Sequence, residues 1–214
     1  MAPRSRRDER RRALAQNFLA DKNLAAALAA RARAGELILE FGAGRGALTI
    51  PLALTGASVI AIERDEMWAR QLRARLRALD IAHRVRVLEA DALDVSLPQR
   101  PFRVISSPPF NQTTRLLRAL LDDPMIGPSS IDFIVQWEVA LKRTASPPTS
   151  MLSTIWAPWW RFATVRRIPR TSFRPIPRVD AAWLTITKRS RPLLPPELAI
   201  EFATFVRARW RNFR

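Results

Sequence analysis

Apolar residues in this chain fall into two alternating patterns. Short, nearly continuous runs occur at Leu37–Phe41, Val59–Ile62, Val85–Leu88, Phe102–Ile105 and Ile131–Val135. Runs of four or five apolar residues predict strands buried on both faces. Between them lie stretches whose apolar positions recur every three or four residues: Asp21–Arg33, Ala47–Leu54, Asp65–Leu79 and Thr113–Leu121. These predict helices, with Asp21 as the N-cap of the first. Strand and helix alternating at this spacing predict an α/β fold with a doubly wound, mostly parallel sheet.

The rhythm changes after residue 135. Met151–Trp160 is read as a helix. Phe162–Ile168 and Trp183–Lys188 are read as two strands joined by the proline-rich segment Pro169–Pro177, with no helix between them. Such a pair predicts antiparallel neighbours at the sheet edge, bringing the sheet to seven strands. Residues 136–150 receive no element. Arg191–Pro196 has the composition of a linker. Glu197–Arg214 is expected to be an amphipathic helix with Phe202, Phe205, Val206 and Trp210 on one side. Trp156, Trp159, Trp160 and Trp183 are read as core packing rather than as a stacking surface.

Composition narrows the chemistry. The 214 residues are 48% hydrophobic, enough for one α/β domain and a small appendage. There is no cysteine, which excludes disulfides, thiolate metal sites and a cysteine nucleophile. The single histidine, His83, rules out a histidine-based metal site or triad, and no metal is expected. No apolar run approaches the roughly 20 residues of a membrane span, so a cytoplasmic, monomeric protein without a membrane partner is expected.

Charge is the strongest compositional signal. The net charge is +17, and the basic residues are arginine except for Lys22, Lys142 and Lys188. A GC-rich genome favours arginine codons, but it does not by itself produce such an excess of cations. Arginine forks onto phosphates and stacks on unpaired bases, so the expected partner is RNA. Residues 1–12 carry Arg4, Arg6, Arg7, Arg10, Arg11 and Arg12 and read as a solvated basic arm for RNA phosphates.

Four features gather at predicted strand ends. Glu40-Phe41-Gly42-Ala43-Gly44-Arg45-Gly46 follows the first strand, where glycines let a ligand approach the backbone and a helix start offers free amides. Glu63 follows the next strand, about twenty residues on, where an acid can accept from ribose hydroxyls. Asp91, with Ala92 beside it, follows the third and can accept from an adenine amino group. Ser107-Pro108-Pro109-Phe110 follows the fourth. Its prolines stiffen the turn and leave carbonyls free to accept, and Phe110 offers a face for stacking. Open α/β sheets bind ligands along this edge.

Ser107–Phe110 resembles the Asn/Asp/Ser-Pro-Pro-aromatic loop of enzymes that methylate the exocyclic amine of adenine. Together with Gln16-Asn17-Phe18-Leu19, Glu40–Gly46 and Phe173-Arg174-Pro175-Ile176-Pro177-Arg178-Val179-Asp180, it resembles the rRNA adenine dimethyltransferases over residues 13–190. Within that family the chain looks most similar to the Erm macrolide-resistance enzymes. The resemblance implies a Rossmann-like class I fold and S-adenosylmethionine as cofactor, held by Gln16, Asn17, Leu19, Glu40, Gly42, Gly44, Glu63, Asp91, Ala92 and Ser107. It implies catalysis by Ser107, Pro108, Phe110 and Phe173 on one flipped adenine of 23S rRNA. Two departures stand out. Ser107 replaces the usual Asn, and the chain stops at Arg214, so residues 191–214 are expected to begin a truncated or reduced helical RNA-binding domain. Alternatives are the 16S rRNA enzyme of the same family, a non-catalytic RNA-binding paralogue and, less in keeping with Phe173–Asp180, a DNA adenine methyltransferase.

Overall fold

The computed structural model describes residues 17–210. A seven-stranded sheet forms its centre, in the order β4 (Val85–Glu89), β3 (Ser58–Glu63), β2 (Leu37–Phe41), β5 (Arg103–Ser106), β6 (Ser130–Gln136), β9 (Ala181–Lys188), β7 (Trp160–Ile168). The first five are parallel. β9 runs antiparallel to β7, as the helix-free pair of strands predicts, and also to β6. A second sheet, not foreseen, pairs β1 (Phe18–Leu19) with β8 (Phe173–Arg174). This is a Rossmann-like α/β fold with a helical C-terminal end.

The helices are α1 (Lys22–Ala29), α2 (Thr49–Leu54), α3 (Glu66–Ala78), α4 (Thr113–Leu121), α5 (Trp137–Thr144), α6 (Met151–Trp156) and α7 (Ala199–Trp210). Asp21 caps α1 by accepting from the Leu24 N–H at 3.0 Å, as expected. Asp65 does the same for α3, accepting from Met67 and Trp68. Two apolar clusters cover the sheet. One is built on Leu39, Phe133, Trp156 and Leu184; the other on Leu28, Ile38, Leu52, Leu72 and Phe173.

Three expectations need correction. Residues 137–144, left without an element, form α5. The helix read over Met151–Trp160 ends at Trp156, and Trp160 already begins β7. In α7 the inward face is Ala199, Ala203 and Val206 with Phe202 and Trp210 at its margins, whereas Phe205 is 57% exposed and lies under Arg209. The apolar stripe at i, i+3 and i+4 from Ala199 wins over Phe205 because alanines let the helix approach α6 closely. Trp156, Trp159, Trp160 and Trp183 are all buried, as core residues should be. His83 is exposed.

The crossover from β4 to β5, residues 90–102, contains no helix. One face of β2–β4 therefore opens into a groove of about 800 Å³ over Leu37, Leu39, Ile60 and Leu88. The groove reaches Ser58 and Val85, the amino ends of their strands, and it gathers no acids. The ligand edge lies at the opposite end of the sheet.

Candidate active site

The sheet order reverses between β2 and β5, and the site is built there. Strands β2 and β5 pair only at Ile38↔Arg103 and Leu39↔Val104, then part. The gap is bridged by a side chain. Ser106 Oγ donates to the Phe41 carbonyl at 2.8 Å and accepts from the Phe41 N–H at 3.2 Å, replacing the missing ladder bonds. This sends the following residues, Ser107–Phe110, over the glycine loop rather than along the sheet. Parted strand ends at a topological switch point make the crevice in which such sheets hold ligands.

The loop after β2 fits close approach. Gly44 has φ +52°, and a Cβ there would lie 2.8 Å from Phe18 Cε1. At Gly42 a Cβ would lie 3.0 Å from Pro109 Cδ. Any side chain at either position would displace a wall of the crevice. Gly42 and Pro109 meet across it and divide it into two lobes, each of which they help to line.

The first lobe is lined by Asn17, Leu19, Glu40, Arg45 and Ser107 among others. The second is lined by Glu63, Arg64, Asp91, Ala92, Asn111 and Gln112 among others. The expected ligand residues Asn17, Leu19, Glu40, Gly42, Glu63, Asp91, Ala92 and Ser107 are thus brought together around one crevice. Gly44 joins them through its N–H, which donates to Glu63 Oε2 at 2.7 Å. Gln16 and the six arginines of residues 4–12 lie outside the described residues.

The two glutamates differ in how they are held. Glu63 is buried, and its oxygens accept from Gly44 and, at 2.8 Å, from Asp65. Burial pushes its carboxyl up, and these two N–H groups oppose the shift. Glu40 is equally buried, but its Oε2 has no hydrogen-bond partner, nor has the hydroxyl of Thr49. Burial pushes the Glu40 carboxyl up to about 8; the Thr49 hydroxyl beside it opposes the shift, and the charge of Glu63 adds to it. Asp91 is half-exposed; it accepts from the Leu93 N–H and sits 3.4 Å from Arg64.

Phe110 opens the turn after the prolines and packs edge-on against Phe173, ring centres 5.8 Å apart. Phe173 is fully buried and stands beside Phe110, so the partly open face belongs to Phe110. The segment around Phe173 is tied down on both sides. Ser172 O accepts from the N–H groups of Ala20 and Asp21. Asp180 Oδ1 accepts from the Arg170 N–H at 3.0 Å, which with the Arg167 guanidinium holds its carboxyl below the usual range. That accounts for Val179-Asp180 at the end of the motif: the acid pins the loop that carries Phe173. Exposed Arg166, Arg170, Arg174 and Arg178 surround this loop.

Four contributors escaped the sequence reading. Ser106 carries no motif signal beyond preceding Ser107. Gln112 lines the second lobe with a buried, unpartnered Oε1. Arg45 stacks over Trp68 at 4.9 Å, and Trp68 meets Phe18 edge-on at 5.5 Å, closing the first lobe. A cation inside the glycine loop was the one available hint for Arg45. Among the described residues no group of three or more His, Cys, Asp or Glu is placed to hold a metal ion. No helix among them is long and apolar enough to cross a membrane.

The chain is similar to the mycinamicin-resistance protein MyrB of Micromonospora griseorubida, with 36% identity over 199 residues, 92% of this chain and 62% of that protein. It is 35% identical to an rRNA adenine N-6-methyltransferase of Corynebacterium diphtheriae over 79% of this chain and 64% of the relative. It thus spans less than two thirds of the length of either. Among solved structures, that of the 23S rRNA methyltransferase ErmE superposes with a TM-score of 0.79 at 29% identity, covering 91% of this chain and 79% of that one. A dimethyladenosine transferase from Plasmodium falciparum shares the fold, with a TM-score of 0.72 at 21% identity over 80% of this chain and 63% of that one. The family model described as ribosomal RNA adenine dimethylase matches residues 7–210, and with the parted strands, two-lobed crevice and proline turn this places the chain in that family.

Proposed function

We propose that this protein transfers a methyl group from S-adenosylmethionine to the exocyclic N6 of one adenine in 23S rRNA, near the macrolide site, and so gives resistance of the macrolide type. The observation that carries the reading is one juxtaposition. The Ser107–Pro109 turn has a two-lobed crevice with two buried glutamates on one side and the Phe110–Phe173 pair on the other. The relatives that bear the names of a mycinamicin-resistance protein and a 23S rRNA methyltransferase support the substrate.

The residues present fit the cofactor. The unpartnered Glu40 Oε2 is a buried acceptor awaiting a cation, and the crevice floor at Gly42 and Gly44 is one that a single Cβ would fill. The first lobe suits the amino-acid end, with Asn17, Leu19 and Glu40. The second suits the adenosine, with Glu63 toward the ribose and Asp91 toward the base. When bound, S-adenosylmethionine supplies an electrophilic methyl on a sulfonium sulfur.

The amine of adenine is a poor nucleophile because its lone pair is delocalised into the ring. Ser107 Oγ and the Pro108 carbonyl accept from the amine, which favours a pyramidal nitrogen with its lone pair aimed at the methyl. That is catalysis by positioning. Serine reaches less far than asparagine, so the second methylation is the step most sensitive to this replacement. Phe110 stacks on the adenine once it has left its helix. Arg166, Arg170, Arg174 and Arg178 line the approach for phosphates, and the arm of residues 1–12 adds affinity without choosing the base. The protein acts as a monomer in the cytoplasm, and the C-terminal residues 191–210, with helix α7, contribute to RNA binding.

The test is incubation with labelled cofactor and unmodified 23S or 16S rRNA, followed by primer extension. A stop at one adenine of 23S rRNA is expected. Label in 16S rRNA alone would move the protein to ribosome assembly, and cofactor binding without label in either RNA would make it a binding paralogue.

A further inference from the structure

The amino-acid end of the proposed cofactor is a zwitterion, and the first lobe holds one acid and one base among the described residues that line it. The acid is Glu40, deep in the lobe. The base is Arg45. Resting on the cofactor reading above, we infer that Arg45 receives the carboxylate of the cofactor's amino-acid end and makes the first lobe selective for ligands that carry one.

Three observations carry this. The first is position: Arg45 lies between Gly44 and Gly46, in the loop that turns beneath the lobe, and it lines the same lobe as Asn17, Glu40 and Ser107. The second is availability. Arg45 is exposed and takes part in no salt bridge among the described residues. The third is preorganisation. Its guanidinium lies 4.9 Å from the centre of the Trp68 ring, and Trp68 is itself buttressed edge-on by Phe18. The backbone at Arg45 is fixed as well, since Arg75 Nη1 donates to the Arg45 carbonyl at 2.6 Å. A planar cation resting on an aromatic face has already lost much of its rotamer freedom before a ligand arrives. A guanidinium also matches a carboxylate with two parallel N–H donors, which an ammonium does not.

The opposite charges occupy different depths, and this gives the lobe a direction. Glu40 is buried and unpartnered, suited to an ammonium that enters fully. Arg45 stands at the rim, suited to a carboxylate that keeps some contact with water. A ligand lacking the carboxylate keeps the Glu40 contact and loses only the rim contact.

The experiment is calorimetry on the parent chain, Arg45→Gln and Arg45→Lys. The ligands are S-adenosylhomocysteine, its decarboxylated analogue with an aminopropyl chain, and 5′-methylthioadenosine, which lacks both charges. In the parent, removing the carboxylate should weaken binding roughly tenfold, about 1.4 kcal/mol. Arg45→Gln should weaken S-adenosylhomocysteine by the same factor and leave the other two ligands within about twofold, because a charge-assisted contact has been removed and nothing else. Arg45→Lys should recover part of the loss. Thermal melts should match the parent, since the side chain is exposed. Equal weakening of all three ligands by Arg45→Gln would make Arg45 a wall residue and overturn the inference. So would unchanged binding of all three, including the case in which only RNA affinity falls. A parent chain that binds none of the ligands sinks the cofactor reading and this inference with it; that outcome is seen before any variant is made.

Discussion

The carboxyl ends of β2 and β3 each place a glutamate in the same crevice, and both side chains are buried to within 2%. Their surroundings separate them. Glu63 is already satisfied by two backbone N–H groups and holds the glycine loop to β3. Glu40 has an orphaned oxygen and a carboxyl pushed up to about 8. One acid is part of the architecture as it stands; the other, on the reading proposed above, takes up its charge only when a cation enters. Burial alone therefore does not say how an acid is held; the count of donors around it does.

The sharpest way to break this comparison is Glu63→Ala. It leaves the Gly44 and Asp65 N–H groups buried without acceptors, at a cost of about 2–4 kcal/mol in unfolding free energy. Denaturant melts should show that loss together with weaker cofactor binding. A variant as stable as the parent would mean that the loop is held by something else.

Glu40→Gln should behave oppositely. A carboxyl whose folded pKa is raised from 4.5 to about 8 contributes stability that is fully present below about 4.5 and is lost as pH rises toward 8. The glutamine variant lacks that loss. It should match the parent near pH 5 and exceed it near pH 8, by about 3 kcal/mol. In the parent, cofactor binding at pH 7 should release a proton, detected as a dependence of calorimetric enthalpy on buffer ionisation heat. The glutamine variant should show no such dependence and should bind more weakly.

Phe110→Ala separates the two glutamates from the base-holding side of the turn. Methylation should fall at least about tenfold, since stacking is worth roughly 1–3 kcal/mol per base. Cofactor affinity should stay unchanged, and Phe110→Tyr should keep most of the rate. Joint loss of thermal stability and cofactor affinity would reduce Phe110 to a packing residue. The smallest effect is expected of Ser106→Ala, about 1 kcal/mol in stability, because the parted strands lose their one bridging hydroxyl. The displaced turn should then lower turnover more than it lowers cofactor affinity.

What the sequence made legible follows from how local each signal is. The five parallel strands stood out because each is a short apolar run between breakers, and Asp21 and Asp65 mark helix starts by chemistry confined to one turn. Helix α5 went unread because Gln136 and Trp137 join it to β6 with no glycine or proline between them. Phe205 was misplaced because apolar character outweighed the closer packing that alanine allows. In the candidate site, the motif residues among those described gather around the crevice. Ser106, Gln112 and the pairing of Arg45 with Trp68 were not legible, since each depends on a partner at least 23 residues away or on a cavity that only the fold creates.

The saddle formed by Gly42 and Pro109 has a consequence for inhibition. It leaves two small basins separated by the contact of one glycine with one proline ring. A weak fragment seated in each could be joined by a linker only a few atoms long. The gain would come from the raised local concentration of the second fragment rather than from any new contact. Widening residue 42 would tax only compounds that cross the saddle. On the cofactor placement proposed above, the natural ligand crosses there too, so a change at residue 42 that excludes such an inhibitor would also weaken the cofactor.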